Sequence, residues 1–206
     1  MASAGRAVPN PPPKPIKIDE YLPQSITGNV TVPYVQGKIY GLRGYTYIED
    51  GATLTIEPGV EIRCSNYSYD IAVSGTLIAK GTAADSIKFK GFANPTVSAQ
   101  STHAGSIKFE QNSLNSQLEY VNIDRWGDVN SSSFGAIFIY SSSVNISKST
   151  IRNSEDYAVQ IYTTPNELNA LPKNLRSFSE IFWRQEGDGA WYYYVIPSGT
   201  DKEIKK

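Results

Sequence analysis

The sequence predicts an all-β protein wound into a solenoid, a right-handed parallel β-helix of about five coils. The first observation behind this is that short runs rich in Val, Ile, Thr, Tyr and Phe alternate with period two between clusters of turn-forming residues. The second is that helical periodicity is nearly absent, because the one candidate helix, 164–175, contains Pro172. The third is an internal repeat, which separates a solenoid from a sandwich or a closed barrel.

The repeat is visible in two pairs of segments. TLTI at 53–56 aligns with TLIA at 76–79 at an offset of 23 residues, and AIFI at 136–139 aligns with AVQI at 158–161 at an offset of 22. One winding of the chain cannot bury its own apolar row, whereas stacking it on the winding below pairs the backbones in parallel and buries the inward side chains. The connections between parallel strands are expected to be right-handed.

The stacked windings predict three faces, each with a column of inward aliphatic or aromatic residues. The first column is Ile71, Val73, Ile107, Phe109, Ile137, Ile139, Val159 and Ile161; the second is Leu54, Ile56, Leu77, Ala79, Leu118, Val144 and Ile146; the third is Val60, Ile62, Ile87, Phe89, Val121, Ile123 and Ile151. Residues of similar size thus follow one another from coil to coil, as neighbours about 4.8 Å apart require.

The segments GYTYIEDGATLTIEPGVEIR and IAVSGTLIAKGTAADSIKFKG carry a family resemblance. Over about residues 45–162 the chain resembles right-handed parallel β-helix proteins of the pectin-lyase-like superfamily, in the non-enzymatic branch of bacterial secreted and surface proteins. The resemblance implies a secreted or cell-surface location. The first residues lack the apolar region of a signal peptide. Either the protein stays inside the cell, or a leader was removed or is not included in this sequence; the resemblance favours the second alternative.

Four segments are predicted along the chain: a Pro-rich disordered tether over 1–15, an N-terminal cap over 16–44, the β-helix over 45–186, and an aromatic strand with a charged tail over 187–206. The last segment contains Trp191, Tyr192, Tyr193 and Tyr194, a run too apolar to lie bare on a monomer. The pattern favours a closing strand over the stack, with a docking interface as the alternative. End-to-end self-association through open strand edges is a further possibility.

Composition excludes several classes of partner. The chain has 19 basic and 20 acidic residues without dense clustering, so we expect no nucleic-acid binding. No run approaches the 18 apolar residues of a membrane span.

Cys64 is the single cysteine, so no intrachain disulfide forms. Its place in an alternating run predicts a small buried side chain rather than a thiol paired with His103.

Catalytic chemistry has one weak set of candidates. A polysaccharide lyase or glycoside hydrolase needs acids held together on a groove, and Glu119, Asp124 and Asp128 are the candidate acids, with Trp126 as a sugar platform. No outward column stacks acid on acid, and we expect Glu61 and Lys88 to form a surface ion pair between coils. The sequence therefore favours a non-catalytic protein over an enzyme. No cofactor is expected, with calcium at Asp124, Asp128 and Asn130 as the alternative to a plain polar loop.

Binding is the function that the pattern favours. The chain has 14 tyrosines, and the candidate ligand-binding residues are Trp126, Tyr140 and Tyr162, since exposed aromatic side chains make rigid amphipathic contacts. The alternative is that tyrosine simply suits β-strands. We expect a non-catalytic structural or adhesive module that binds glycan or protein through its loops, especially 91–105 and 124–134. Neither the ligand nor the oligomeric state follows from the sequence.

Overall fold

The computed structural model describes residues 17–64, 69–91, 105–127, 135–140, 143–154 and 157–162, together with the backbone of 181–185, 191–195 and 201–204. The predicted tether, the candidate helix 164–175, and most of the loops 91–105 and 124–134 lie outside the described residues.

The described chain is all-β, and its strands form three sheets, named A, B and C. Sheet A contains β1 (Glu20–Tyr21), β4 (Ile39–Leu42), β7 (Glu61–Cys64), β10 (Ile87–Lys90), β13 (Val121–Asp124), β16 (Ser149–Arg152) and β20 (Asp201–Ile204). Sheet B contains β2 (Ser25–Ile26), β5 (Thr46–Ile48), β8 (Ile71–Val73), β11 (Ile107–Phe109), β14 (Gly135–Tyr140), β17 (Tyr157–Tyr162), β18 (Ile181–Gln185) and β19 (Trp191–Val195). Sheet C contains β3 (Asn29–Val32), β6 (Thr53–Ile56), β9 (Thr76–Lys80), β12 (Ser116–Glu119) and β15 (Val144–Ser147).

Five complete coils wind through the sheets in the order B, C, A, beginning with β2, β3 and β4 and ending with β14, β15 and β16. Each strand pairs in parallel with its equivalent one coil later, so that Ile137 faces Val159 and Phe89 faces Ile123. This is a right-handed parallel β-helix, and it confirms the predicted fold class. Every residue of the three predicted inward columns is buried, and burying a side chain of this size stabilises the fold by about 1.5–3 kcal/mol.

The parallel stacking begins earlier than residue 45. Residues 20–42, which the sequence analysis treats as a cap, form β1 to β4, and β2, β3 and β4 pair in parallel with the next coil. The side chains of Ile26, Val32 and Leu42 are buried within this first coil. The segment therefore forms the terminal coil of the solenoid and covers the coil above it.

Single-residue corners connect sheet C to sheet A in the last two complete coils. Tyr120 and Lys148 each have a φ of 50° and lie between consecutive strands. This left-handed conformation changes the chain direction within one residue, and it costs roughly 1–2 kcal/mol for a residue with a Cβ atom. Ser149, directly after the second corner, connects the two corners. Its Oγ accepts a hydrogen bond from the Val121 amide at 3.0 Å and donates one to the Ser147 carbonyl at 2.9 Å.

At the C-terminal end of the stack the pairing becomes antiparallel. Strand β19, the aromatic run, pairs with β17, β18 pairs with β19, and β20 pairs with β16. The run thus forms a strand that extends sheet B beyond β17. The side chains of β19 lie outside the described residues, so the interface at Trp191, Tyr192, Tyr193 and Tyr194, like end-to-end association, stays a prediction.

Candidate functional site

The outward face of sheet B carries the densest group of exposed aromatic side chains among the described residues. Alternation in the strands directs one column outward, and the strand register stacks it in the order Ser25, Tyr47, Ala72, Lys108, Phe138, Gln160. Every member sits on a hydrogen-bonded strand rather than a loop, so the face presents its exposed side chains from a rigid support. Gln160, at the C-terminal end of the column, is buried.

A cluster of three tyrosines occupies the N-terminal end of this face. The rings of Tyr45 and Tyr47 stack with their centroids 6.1 Å apart and an interplanar angle of 26°. The ring centroid of Tyr69 lies 6.4 Å from that of Tyr45. Tyr45 and Tyr47 are 43% and 48% exposed. Thr46 and Ile48 face the core on the same strand, so the inward residues force both rings outward.

A second aromatic pair lies further along the same face. Phe138 and Tyr140 stack at 6.4 Å with an interplanar angle of 29°, and both are half-buried. Tyr140 is the register partner of Tyr162, so the structure brings these two predicted binding residues onto adjacent strands. The side chain of Tyr162 is outside the described part. Three coil steps separate Tyr47 from Phe138, a distance of about 14 Å at roughly 4.8 Å per step.

A buried ion pair lies between the two aromatic groups. The Lys108 ammonium is 2.6 Å from a carboxylate oxygen of Asp70, whose side chain is 2% exposed. The other carboxylate oxygen of Asp70 accepts a hydrogen bond from the Ser106 amide at 2.6 Å. A buried carboxylate needs such partners to offset its desolvation. Asp70 therefore neutralises the cation at the centre of the face.

The Cys64 thiol lies beneath this region and is chemically quiet. Its side chain is fully buried, and burial, followed by the nearby negative charge of Asp70, raises the pKa of the thiol well above its usual range. The sulfur is 3.6 Å from the Tyr69 carbonyl. A thiol that stays protonated is a poor nucleophile, in keeping with the predicted packing role. His103 is outside the described residues.

The two candidate catalytic acids that the structure describes, Glu119 and Asp124, are not brought together. Glu119 ends a strand of sheet C and is 2.9 Å from the Lys148 ammonium, whereas Asp124 ends a strand of sheet A. Strand β13 extends about 10 Å from Val121 to Asp124 and so carries Asp124 away from Glu119. Asp124 accepts a hydrogen bond from the Asn153 amide group at 2.9 Å and lies 3.7 Å from Arg152. Asp128, Asn130 and the rest of that loop are outside the described residues.

The prediction that Trp126 forms a sugar platform is wrong. Its side chain is completely buried and packs edge-to-face against Phe89, with the ring centroids 5.6 Å apart. The physical reason is the preceding residue, Arg125, whose φ of 59° breaks the outward-inward alternation and turns Trp126 into the core. Among the described residues, the indole Nε1 has no hydrogen-bond partner.

The predicted pair between Glu61 and Lys88 is also corrected. These residues are register partners on adjacent strands, as expected. The Glu61 carboxylate nevertheless contacts other cations, with Arg63 at 2.5 Å and Lys90 at 3.6 Å. Arg63 stands two positions along the same strand, on the same face, and long side chains reach such neighbours as easily as a residue directly opposite.

Three further findings bear on function. In the part of the chain that the structure describes, no three His, Cys, Asp or Glu side chains cluster as metal ligands would. No helix among the described residues is long and apolar enough to cross a bilayer. Comparisons with protein-family models, with curated proteins and with solved structures found no match to this chain.

Sequence reasoning missed the most exposed part of this face. The predicted binding residues did not include Tyr45, Tyr47 or the pair of Asp70 and Lys108. The alternation in YTYI nevertheless contains the signal for the two tyrosines. Once Ile48 is placed in the column beneath Val73, where the strand register has it, Tyr45 and Tyr47 must point to solvent. The Asp70–Lys108 pair has no comparable signal, because its residues are 38 positions apart and meet only through the coil spacing.

Proposed function

We propose that this chain is a non-catalytic β-solenoid module of a secreted or cell-surface protein, and that it binds glycan on the outward face of sheet B. The observation that carries the proposal is a pair of stacked, exposed tyrosine rings, Tyr45 directly before β5 and Tyr47 on it, followed along the face by Phe138 and Tyr140. The resemblance to the non-enzymatic β-helix branch, made from the sequence, supports the location.

Glycan suits this face for chemical reasons. A sugar ring has an apolar side, which packs on an aromatic ring, and hydroxyl groups, which require hydrogen-bond partners at its edges. Tyr45, Tyr47 and Tyr69 provide rings with a phenolic hydroxyl that both donates and accepts. Ser25 and Glu49, joined by a hydrogen bond of 3.1 Å, lie beside Tyr47 and add polar groups. Tyr45 and Tyr47 already stack on each other, so their rings lose little conformational entropy on binding.

The rigid scaffold favours a repetitive ligand. The two aromatic groups lie on one sheet about 14 Å apart, and the spacing between them is fixed by hydrogen-bonded coils. A single sugar cannot reach both groups, whereas an extended oligosaccharide can. Simultaneous contact at both ends would raise the affinity, because the second contact forms at a high effective concentration.

A glycan array tests the proposal. The intact chain is applied to immobilised oligosaccharides, with and without a calcium chelator, beside the double variant Tyr45→Ala/Tyr47→Ala and the control Tyr34→Ala. Tyr34 is 49% exposed and lies in the connection between β3 and β4, away from sheet B. We expect selective binding that the double variant loses by at least about tenfold, as for exposed aromatic anchors, and that the control retains.

Two outcomes would overturn the proposal. The array could show no binding to any glycan, which would leave a purely structural role as the better hypothesis. Alternatively, the Tyr34→Ala control could weaken binding as much as the double variant, which would move the site away from sheet B. Thermal unfolding of all three proteins, followed by circular dichroism, establishes that the variants keep the fold.

A further inference from the structure

The described charges on the outward face of sheet B are balanced or negative, although Lys108 stands at its centre. Lys108 is cancelled by Asp70 at 2.6 Å. Glu49 directly follows β5 and Glu110 directly follows β11, each at a position that continues the outward alternation. The Glu49 amide donates to the Ile26 carbonyl and the Glu110 amide donates to the Val73 carbonyl, so both residues continue the parallel pairing. The face thus offers aromatic rings and two carboxylates, and its single described cation is occupied.

From this charge arrangement we infer that the face selects uncharged glycans and rejects acidic ones, and that the Asp70–Lys108 pair determines this selectivity. The inference rests on the proposed function. An anionic sugar would approach Glu49 and Glu110 and would have to compete with Asp70 for the Lys108 ammonium. Like charges brought together at an interface oppose binding, and discrimination between ligands arises from such repulsion as much as from attraction.

Asp70 is suited to this role by its position. Its carboxylate is 2% exposed, so it neutralises Lys108 from below without itself touching a ligand. The Lys108 side chain is 15% exposed and lies in the outward column between Ala72 and Phe138. Asp70 is therefore a positioning residue: it holds the ammonium in the sheet and withdraws it from an acidic ligand. Without the carboxylate, the ammonium would be available at the centre of the face.

The test compares hexasaccharides of glucose, mannose and xylose with hexagalacturonic acid by isothermal titration calorimetry at low and high salt. We expect the wild-type chain to bind one or more of the uncharged hexasaccharides with an affinity that salt does not change. The variant Asp70→Asn keeps an acceptor for the Ser106 amide and frees Lys108. It should gain about fivefold in affinity for hexagalacturonic acid, a gain that high salt removes.

Two further variants control the experiment. In Asp70→Asn/Lys108→Gln the ammonium is absent, and the gain for hexagalacturonic acid should disappear. Glu110→Gln changes a half-buried surface group that the core does not need, and it should give a smaller gain in the same direction even if Asp70→Asn does not fold. Preferential, salt-sensitive binding of hexagalacturonic acid by the wild-type chain would overturn the inference but not the proposed function. Failure to bind any of these sugars would contradict the proposed function itself.

Discussion

Leu54 lies directly against Leu77 in the interior of the solenoid, one coil apart, as register partners of two parallel strands whose side chains are both fully buried. Contacts of this kind, repeated on three sheets, are the main source of stability in a fold whose coils cannot bury their apolar rows alone. The contact therefore gives a direct prediction about stability.

Leu77→Ala is expected to lower the free energy of unfolding by about 2–5 kcal/mol, because it removes buried methyl groups and leaves a cavity between rigid coils. Urea denaturation followed by circular dichroism measures the change. Ile78→Ala is the matched control, since Ile78 is the next residue on the same strand and faces outward half-buried. Equal losses for the two variants would contradict the inward assignment of Leu77.

The protonated Cys64 thiol predicts a specific dependence of stability on pH. Its pKa is raised in the folded chain, mainly by burial, from an ordinary value of 9.0. Above pH 9 the unfolded chain releases the thiol proton while the folded chain keeps it, so the free energy of unfolding falls as pH rises, by about 1.4 kcal/mol per pH unit. Below pH 9 the thiol makes no contribution to the slope.

Cys64→Ala supplies the control for this pH dependence. The variant keeps every tyrosine and lysine that titrates in the same range, so the difference between the two unfolding curves isolates the thiol. Denaturation at a series of pH values from neutral to alkaline measures it. Parallel pH profiles for the wild-type chain and the variant would show that Cys64 is accessible to water.

Trp126→Phe is expected to change the free energy of unfolding by less than about 1 kcal/mol. The replacement loses packing volume but also removes the buried indole N–H, which has no partner in the part of the chain that the structure describes. An unsatisfied buried donor costs roughly 1–3 kcal/mol. Trp126→Ala should instead cost about 3–5 kcal/mol because it leaves a large cavity beside Phe89. Denaturation of both variants tests this, and a large loss in Trp126→Phe would indicate a partner for the indole nitrogen.

Ser149→Ala is expected to destabilise the chain by about 1–3 kcal/mol. The substitution removes the acceptor of the Val121 amide and leaves that buried donor unsatisfied. Ser147→Ala, two residues earlier and half-buried, should have a much smaller effect in the same denaturation experiment. If the two variants lost the same stability, the hydrogen bond at this corner would not be the cause.

The inward columns could be predicted because alternation and repeat offset are local properties of the sequence. Leu54 and Leu77 identify themselves by their place in TLTI and TLIA. The start of the solenoid could not be predicted in the same way, since β1 and β2 are two residues long and too short to show alternation. Their assignment depends on pairing with the next coil, which the sequence does not display.

The site was harder to predict than the fold, for reasons visible at two residues. Trp126 follows Arg125, whose left-handed backbone interrupts the alternation along the strand. The residue after it therefore faces the core instead of solvent. The prediction that Trp126 is an exposed sugar platform does not allow for this reversal. Lys108 alternates with the buried Ile107 and Phe109, so its outward position follows from the pattern. Its partner Asp70 belongs to the preceding coil, and their contact depends on a side-chain conformation that no sequence pattern specifies.

Disulfide trapping between coils tests the central claim of this account most directly. Thr55 and Ile78 are outward register partners on adjacent strands, so their Cα atoms should lie about 4.8 Å apart, within the range that a disulfide spans. In a Cys64→Ala background, Thr55→Cys/Ile78→Cys should oxidise rapidly and almost completely, whereas the offset pair Thr55→Cys/Lys80→Cys, at roughly 8 Å, should remain reduced. The same oxidation in both variants, or only in the offset pair, would contradict the stacked register on which the fold and the proposed site depend.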